Sequence, residues 1–119
     1  MEKSKTDLRF LTDACAGDKT TIAEMIRGFL VQKNEFTSSV KNLLHKKDYD
    51  TLRKTVHKMK SAVKIVGMEL TYTYLQELET LIVNATHNLS SISNLISVVL
   101  SHLDDSEKEL QSELQRLID

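Results

Sequence analysis

Apolar residues along this chain recur at alternating spacings of four and three, the signature of one buried helix face rather than of strand alternation. In the window 19–46 they are Ile22, Ile26, Phe29, Phe36, Val40 and Leu43, interrupted only by Lys33. The spacing predicts a helix roughly 40 Å long, at about 1.5 Å per residue. The window 50–66 carries Leu52, Val56, Met59, Val63 and Val66 in the same rhythm, and Gly67 stops it. The next helix starts almost at once, with Leu70, Tyr74, Leu78, Leu81, Ile82 and Ala85 on its expected inner face. So short a connection implies an antiparallel hairpin. Upstream, 7–15 reads as a short helix around Phe10 and Leu11. Gly17 suits its end, and Asp18 is placed to accept bonds from the free amides of the next helix. Residues 46–50 form a turn, with lysines closing one helix and acids opening its successor. The Asn-, Ser-, Thr- and His-rich stretch 84–91 predicts a loop. The last helix carries Ile92, Ile96, Val99, Leu103, Leu110, Leu114 and Leu117. Its stripe thins at Asp104, Asp105, Ser106 and Glu107, where Ser106 with Glu109 resembles a capping box and a break is one reading, but a continuous helix matches the length of the second. The expected fold is all-α: one domain over 1–119, an antiparallel four-helix bundle with a short N-terminal helix.

Composition narrows the picture. The 119 residues are 40% hydrophobic and 28% charged, the balance of a globular chain, with no Pro and three Gly. Sixteen basic residues face 17 acidic ones, which argues against nucleic acid as a partner. The single cysteine, Cys15, cannot close an internal disulfide and fits a reducing compartment. No apolar run approaches the length of a membrane span, and the charged start (Glu2, Lys3, Lys5, Asp7, Arg9) lacks the apolar core of a signal peptide. A cytoplasmic domain without membrane contact is expected.

The third helix carries the candidate chemistry. With its apolar stripe turned inward, His57 falls about 140° away and faces water. Arg53, Lys60, Ser61 and Lys64 lie at the helical-neighbour spacings around it. An exposed imidazole offers a nucleophilic ring nitrogen near neutral pH. Nearby cations disfavour the imidazolium and would stabilise a phosphoryl group in transit. On spacing alone, the same residues also describe an ordinary solvated face.

The segment from His57 through Lys60, Ser61 and Lys64 to Gly67 resembles the signature of histidine-containing phosphotransfer (HPt) domains: a His, a Lys three on, a small residue (usually Gly) four on, and a Gly ten on. The turns at Gly17-Asp18-Lys19 and Lys47-Asp48-Tyr49, and the pair Leu78-Glu79, are also similar to that family's. The resemblance covers about residues 10–85, with the last helix matched in pattern only. It implies that His57 accepts a phosphoryl group from the aspartate of a response-regulator receiver domain, or returns one. Lys60 would be the phosphate-facing cation and Ser61 the small residue that opens the surface, here in place of the commoner Gly. No cofactor is then expected in this chain, because the receiver supplies Mg²⁺. The expected partners are receiver domains, with a hybrid sensor histidine kinase as a candidate parent chain, and the expected state is a monomer.

The corner at Gly67 adds geometry, since a residue ten before it lies level with one about twelve after it. Glu79 is therefore expected near His57, either holding the second imidazole nitrogen or standing as a half-exposed flank residue. Lys64 adds positive potential or simple solubility. Ile65 and Arg53 are candidates for partner docking, with partial burial against the N-terminal helix the other reading of Ile65. His45 falls at a helix end and reads as structural. A di-iron bundle is excluded, because no Glu stands three residues before a His. No Gly-rich phosphate loop exists, so ATP binding is not expected. Two other readings remain: a helical adaptor that docks partners without phosphotransfer, and the phospho-accepting helix pair of a histidine kinase. The latter normally has an acid after the His and a Pro shortly beyond, whereas Lys58 follows His57 and Pro is absent.

Overall fold

The computed structural model describes residues 5–118. Glu2 and Lys3 of the charged start, and the two extremes of the expected 1–119 domain, lie outside them. In chain order the helices are α1 (Arg9–Ala14), α2 (Lys19–His45), α3 (Tyr49–Ile65), α4 (Glu69–Ile82) and α5 (Leu89–Ile118), with a single 3₁₀ turn at Ala85–His87 before the last. α2 packs on α3 and α5, and α4 packs on the same two, so the four long helices close a ring around one core. Short connections make each sequential pair antiparallel. No described helix is long and apolar enough to cross a membrane.

The 4-3 stripes are the core. Ile22, Ile26, Phe29, Phe36 and Val40 of α2, all the stripe residues of α3, and Ile92, Ile96, Val99, Leu103 and Leu110 of α5 are buried. Each large side chain so buried contributes roughly 1.5–3 kcal/mol before the cost of ordering the chain. The stripe's interruption at Lys33 is filled by Lys33 itself, which is buried at 4% exposure and continues the spacing. Its ammonium reaches Asp104 at 2.9 Å and Glu107 at 3.4 Å on α5. Burial alone would lower its pKa, but the two carboxylates outweigh that and raise it. The irregularities in the two stripes therefore answer each other across the bundle.

Four expectations need correction, the first being the capping box at Ser106; α5 runs unbroken through Asp104–Glu107, the continuous helix favoured over a break. Ser106 is a fully buried member of the stripe and donates to the Leu103 carbonyl at 2.7 Å, so no capping box forms there. Second, the buried face of α4 is Thr71, Leu75, Leu78 and Ile82, while Leu70 is exposed and Tyr74 and Leu81 are half-buried. This helix has apolar residues on several sides, and the polar Thr71 hid the true phase. The Thr71 hydroxyl lies 3.2 Å from His102 Nδ1, and the His102 ring leans on Tyr74. Third, the Asp18 carboxylate accepts from the Thr21 hydroxyl and caps no amide, whereas Asp48 caps α3 by accepting from the Thr51 amide. Fourth, the stretch expected as a loop is shorter than predicted, because Leu89 already opens α5. Asn88 caps backwards, its side-chain amide donating to the carbonyls of Leu81 and Asn84.

α2 and α5 are the longest helices, 27 and 30 residues against 17 and 14 for α3 and α4. They overhang the α3–α4 corner, and α1 plugs that end with its buried Leu11. The strap leading into α1 is held at both sides. Glu109 on α5 accepts from the Lys5 amide at 2.8 Å, the Thr6 amide at 3.0 Å and the Thr6 hydroxyl at 2.8 Å. The Asp7 amide donates to the Val66 carbonyl at 2.9 Å. The crossing is possible because residue 67 is glycine. Gly67 has φ +72°, and a Cβ there would lie 2.1 Å from the Asp7 carbonyl oxygen.

Gly67→Ala is therefore expected to lower stability by about 2–3 kcal/mol, from a left-handed backbone and a displaced strap. Urea unfolding measures it, and a change below about 0.5 kcal/mol would show that the strap does not need this corner. Stability also depends on Glu109. Burial would raise its carboxyl, but the Lys5 and Thr6 amides and the Thr6 hydroxyl outweigh that and hold it below the ordinary 4.5. The unfolded chain then takes up the proton first, so this contribution is complete above about pH 4.5 and fades as the pH falls through the lower folded value. Glu109→Gln is expected to flatten the acid limb of a urea-midpoint-against-pH curve.

Candidate functional site

The corner at Gly67 sets the register of the α3–α4 hairpin, and the site is a product of that register. α3 projects His57, Lys60, Ser61 and Lys64 along its outer side, while α4 runs alongside with Tyr72 and Glu79. His57 is 62% exposed in its side chain, and its Nδ1 lies 2.5 Å from Glu79 Oε1. The other Glu79 oxygen accepts from the Lys60 ammonium at 2.7 Å. One carboxylate thus bridges the imidazole and the lysine. Desolvation pushes the Glu79 carboxyl up, but hydrogen bonds from Lys60 and His57 outweigh it and leave the pKa below the ordinary value. Glu79 is therefore ionised at neutral pH and can only accept. The proton between the two groups belongs to Nδ1, and the lone pair of the neutral ring is on Nε2.

His57 stands beside a groove of about 890 Å³ whose walls also include Lys60, Ser61, Lys64 and Ile65 of α3, Tyr72 of α4 and Phe10 of α1. Ser61 is exposed and Ile65 is half-buried, packed against the core while lining the groove. Phe10 is 65% exposed at the groove's edge. Lys60 and Lys64 both lie over the Tyr72 ring, at 5.7 Å and 5.4 Å from its centroid. Arg53 stands apart: one turn before His57, outside the groove wall, it pairs with Asp50 at 3.8 Å.

The structure thus brings together His57, Lys60, Ser61, Lys64, Ile65 and Glu79, and leaves Arg53 to one side. Lys60 is not a free cation but half of an ion pair. Tyr72, Arg9 and Phe10 also belong to the site and were not among the sequence candidates. The corner arithmetic that points to Glu79 also points to Tyr72, because a residue three before Gly67 lies level with one about five after it. The strap residues had no such signal, since their position depends on Glu109 and on the bare Cα of Gly67. His45 ends α2, exposed, and His87 sits in the 3₁₀ turn, both outside the groove. Among the described residues, no three His, Cys, Asp or Glu side chains gather to hold a metal ion.

Compared with known proteins, the chain matches no family model, no curated protein and no solved structure.

The tautomer of His57 is directly measurable. In ¹⁵N-resolved NMR of the neutral ring, a protonated Nδ1 and a bare Nε2 are expected. Glu79→Ala is expected to move proton population onto Nε2 and to cost about 1–3 kcal/mol of stability, because it leaves the mostly covered Lys60 ammonium without its carboxylate. Identical nitrogen shifts in the two proteins would show that Glu79 does not set the tautomer.

Proposed function

We propose that this domain is a histidine phosphotransfer module, in which His57 accepts a phosphoryl group from a receiver-domain aspartate and passes it on in a phosphorelay. The observation that carries the reading is the pairing of an exposed imidazole with an ionised Glu79 on its Nδ1 side. That arrangement commits Nδ1 to the carboxylate and leaves Nε2 as the nitrogen for chemistry, on an exposed side chain beside a groove large enough for a partner's surface.

The chemistry balances without a group from this chain beyond His57. Nε2 attacks phosphorus as the bond from phosphorus to the aspartyl oxygen breaks, and the electron pair leaves with the aspartate carboxylate. The Nδ1 proton stays on the ring, which becomes cationic as the N–P bond forms. Glu79 lies against that developing charge. A Mg²⁺ ion, which the HPt resemblance assigns to the receiver, would offset phosphoryl charge from the partner's side. Low-molecular-weight phosphodonors should serve as well, because the nucleophile is complete in this chain. The proposal places the domain in the cytoplasm, as a monomer, alone or within a hybrid sensor kinase.

Phosphoryl transfer from a panel of phosphorylated receiver domains tests this, with His57→Gln alongside. The expected result is an acid-labile, base-stable label on the wild type and none on the variant. A folded wild type that takes no label from any receiver or from phosphoramidate would overturn the proposal and favour the adaptor that docks partners without phosphotransfer.

A further inference from the structure

Three cations border the groove, and two are already committed. Arg9 pairs with Asp7, and the nearby Glu69 carboxylate also acts on Arg9. Lys60 is 16% exposed in its side chain and held by Glu79. Lys64 is exposed, and among the described residues no carboxylate forms an ion pair with it. What holds it is aromatic: its ammonium lies 5.4 Å from the centroid of Tyr72. The negative face of a ring attracts a cation at that range without neutralising it. The ring shares its field with Lys60 at 5.7 Å, but Glu79 already cancels the charge of Lys60. Around Tyr72 the uncancelled positive charge is therefore that of Lys64.

Helix geometry aims that charge. Lys64 is seven residues after His57, about 20° off the same line along α3 and about 10 Å further along it. Between them, four residues after His57, stands Ser61, exposed and small. A bay over Ser61 is thus bounded by the imidazole at one end, the Lys64 ammonium at the other and Tyr72 in the wall they share. A phosphoryl group on Nε2 would project into this bay. Lys60 already spends a donor on Glu79, and its charge is matched there, so its pull on a phosphoryl group is weaker than that of Lys64.

We infer that Lys64 is the cation that meets the phosphoryl group on His57, and that Tyr72 is the positioning residue that parks it there. The inference rests on the phosphotransfer proposal and reassigns within it the part expected of Lys60.

The test uses phosphoramidate as donor, the full chain, and the variants Lys64→Met, Tyr72→Phe, Tyr72→Leu and the Lys64→Met/Tyr72→Leu double. Lys64→Met is expected to slow His57 labelling about tenfold. Tyr72→Phe keeps the ring and should label within about twofold of wild type, whereas Tyr72→Leu should slow to about the Lys64→Met rate. The double variant should be no slower than Lys64→Met, because both changes remove one interaction. The Lys64 ε-methylene protons should carry a ring-current shift in wild type and Tyr72→Phe that is lost in Tyr72→Leu. Wild-type labelling with an unaffected Lys64→Met rate would overturn the Lys64 assignment alone. Additive losses in the double variant, or an unshifted Lys64 in wild type, would overturn the role of Tyr72. No label on wild type would remove the phosphotransfer proposal itself, and this inference with it.

Discussion

The left-handed corner at Gly67 is the constraint on which the rest depends. It ends α3, starts α4 within a few residues and fixes the register between them. That register puts Glu79 against His57 and Tyr72 under Lys64. The same missing side chain lets the strap cross at Asp7, so one glycine positions both walls of the groove. The long helices supply the rigid background. Their stripes supply much of the buried core, and the hairpin is held where rotation would break the packing.

Two ionic groupings differ instructively. Lys33 with Asp104 and Glu107 is a lysine sunk into the stripe of α2, its charge matched by carboxylates on the rim of α5. Removing the carboxylates would leave the buried Lys33 charge poorly solvated, which makes the cluster a demand for one particular α2–α5 register rather than a source of net stability. The grouping of His57, Glu79 and Lys60 is nearer the surface and has one open member. Lys60 and Glu79 are mostly covered, and only the imidazole reaches well into water. The covered pair holds the exposed ring by Nδ1 and leaves its other nitrogen outside that contact.

Much of this was legible in the sequence because helical periodicity is a strong signal. The stripes of α2, α3 and α5 give fold class and core almost residue by residue, and corner arithmetic gives the neighbourhood of Glu79. The failures came where a polar residue occupied a buried position. Thr71 and Ser106 satisfy their hydroxyls on His102 and on the Leu103 carbonyl, and nothing in their residue type announces it. Glu109 is a similar case: on a helix it looks like one more solvent-facing acid, yet it binds backbone amides more than a hundred positions away in the chain. Partners that are backbone atoms leave no pattern in a sequence, so the strap and the groove wall it builds were invisible. Arg53 stands outside the groove wall, beside its local acid Asp50, a placement that helical spacing around His57 does not reveal.

The polar attachment of the strap is almost wholly through its main chain, the amides of Lys5, Thr6 and Asp7 with one hydroxyl, while Leu8 packs on the core. The side chains it delivers to the groove's edge, Arg9 and Phe10, are exposed and take no part in that attachment beyond the contact of Arg9 with Asp7. Anchorage and presentation are thereby separated. Residues 9 and 10 can be exchanged for others of different size or charge without loosening the strap or opening the core. Gly67 and Glu109 have no such latitude. The rim of the groove is in this sense an interchangeable part mounted on a fixed bracket, and its chemistry can drift while the imidazole behind it stays in place.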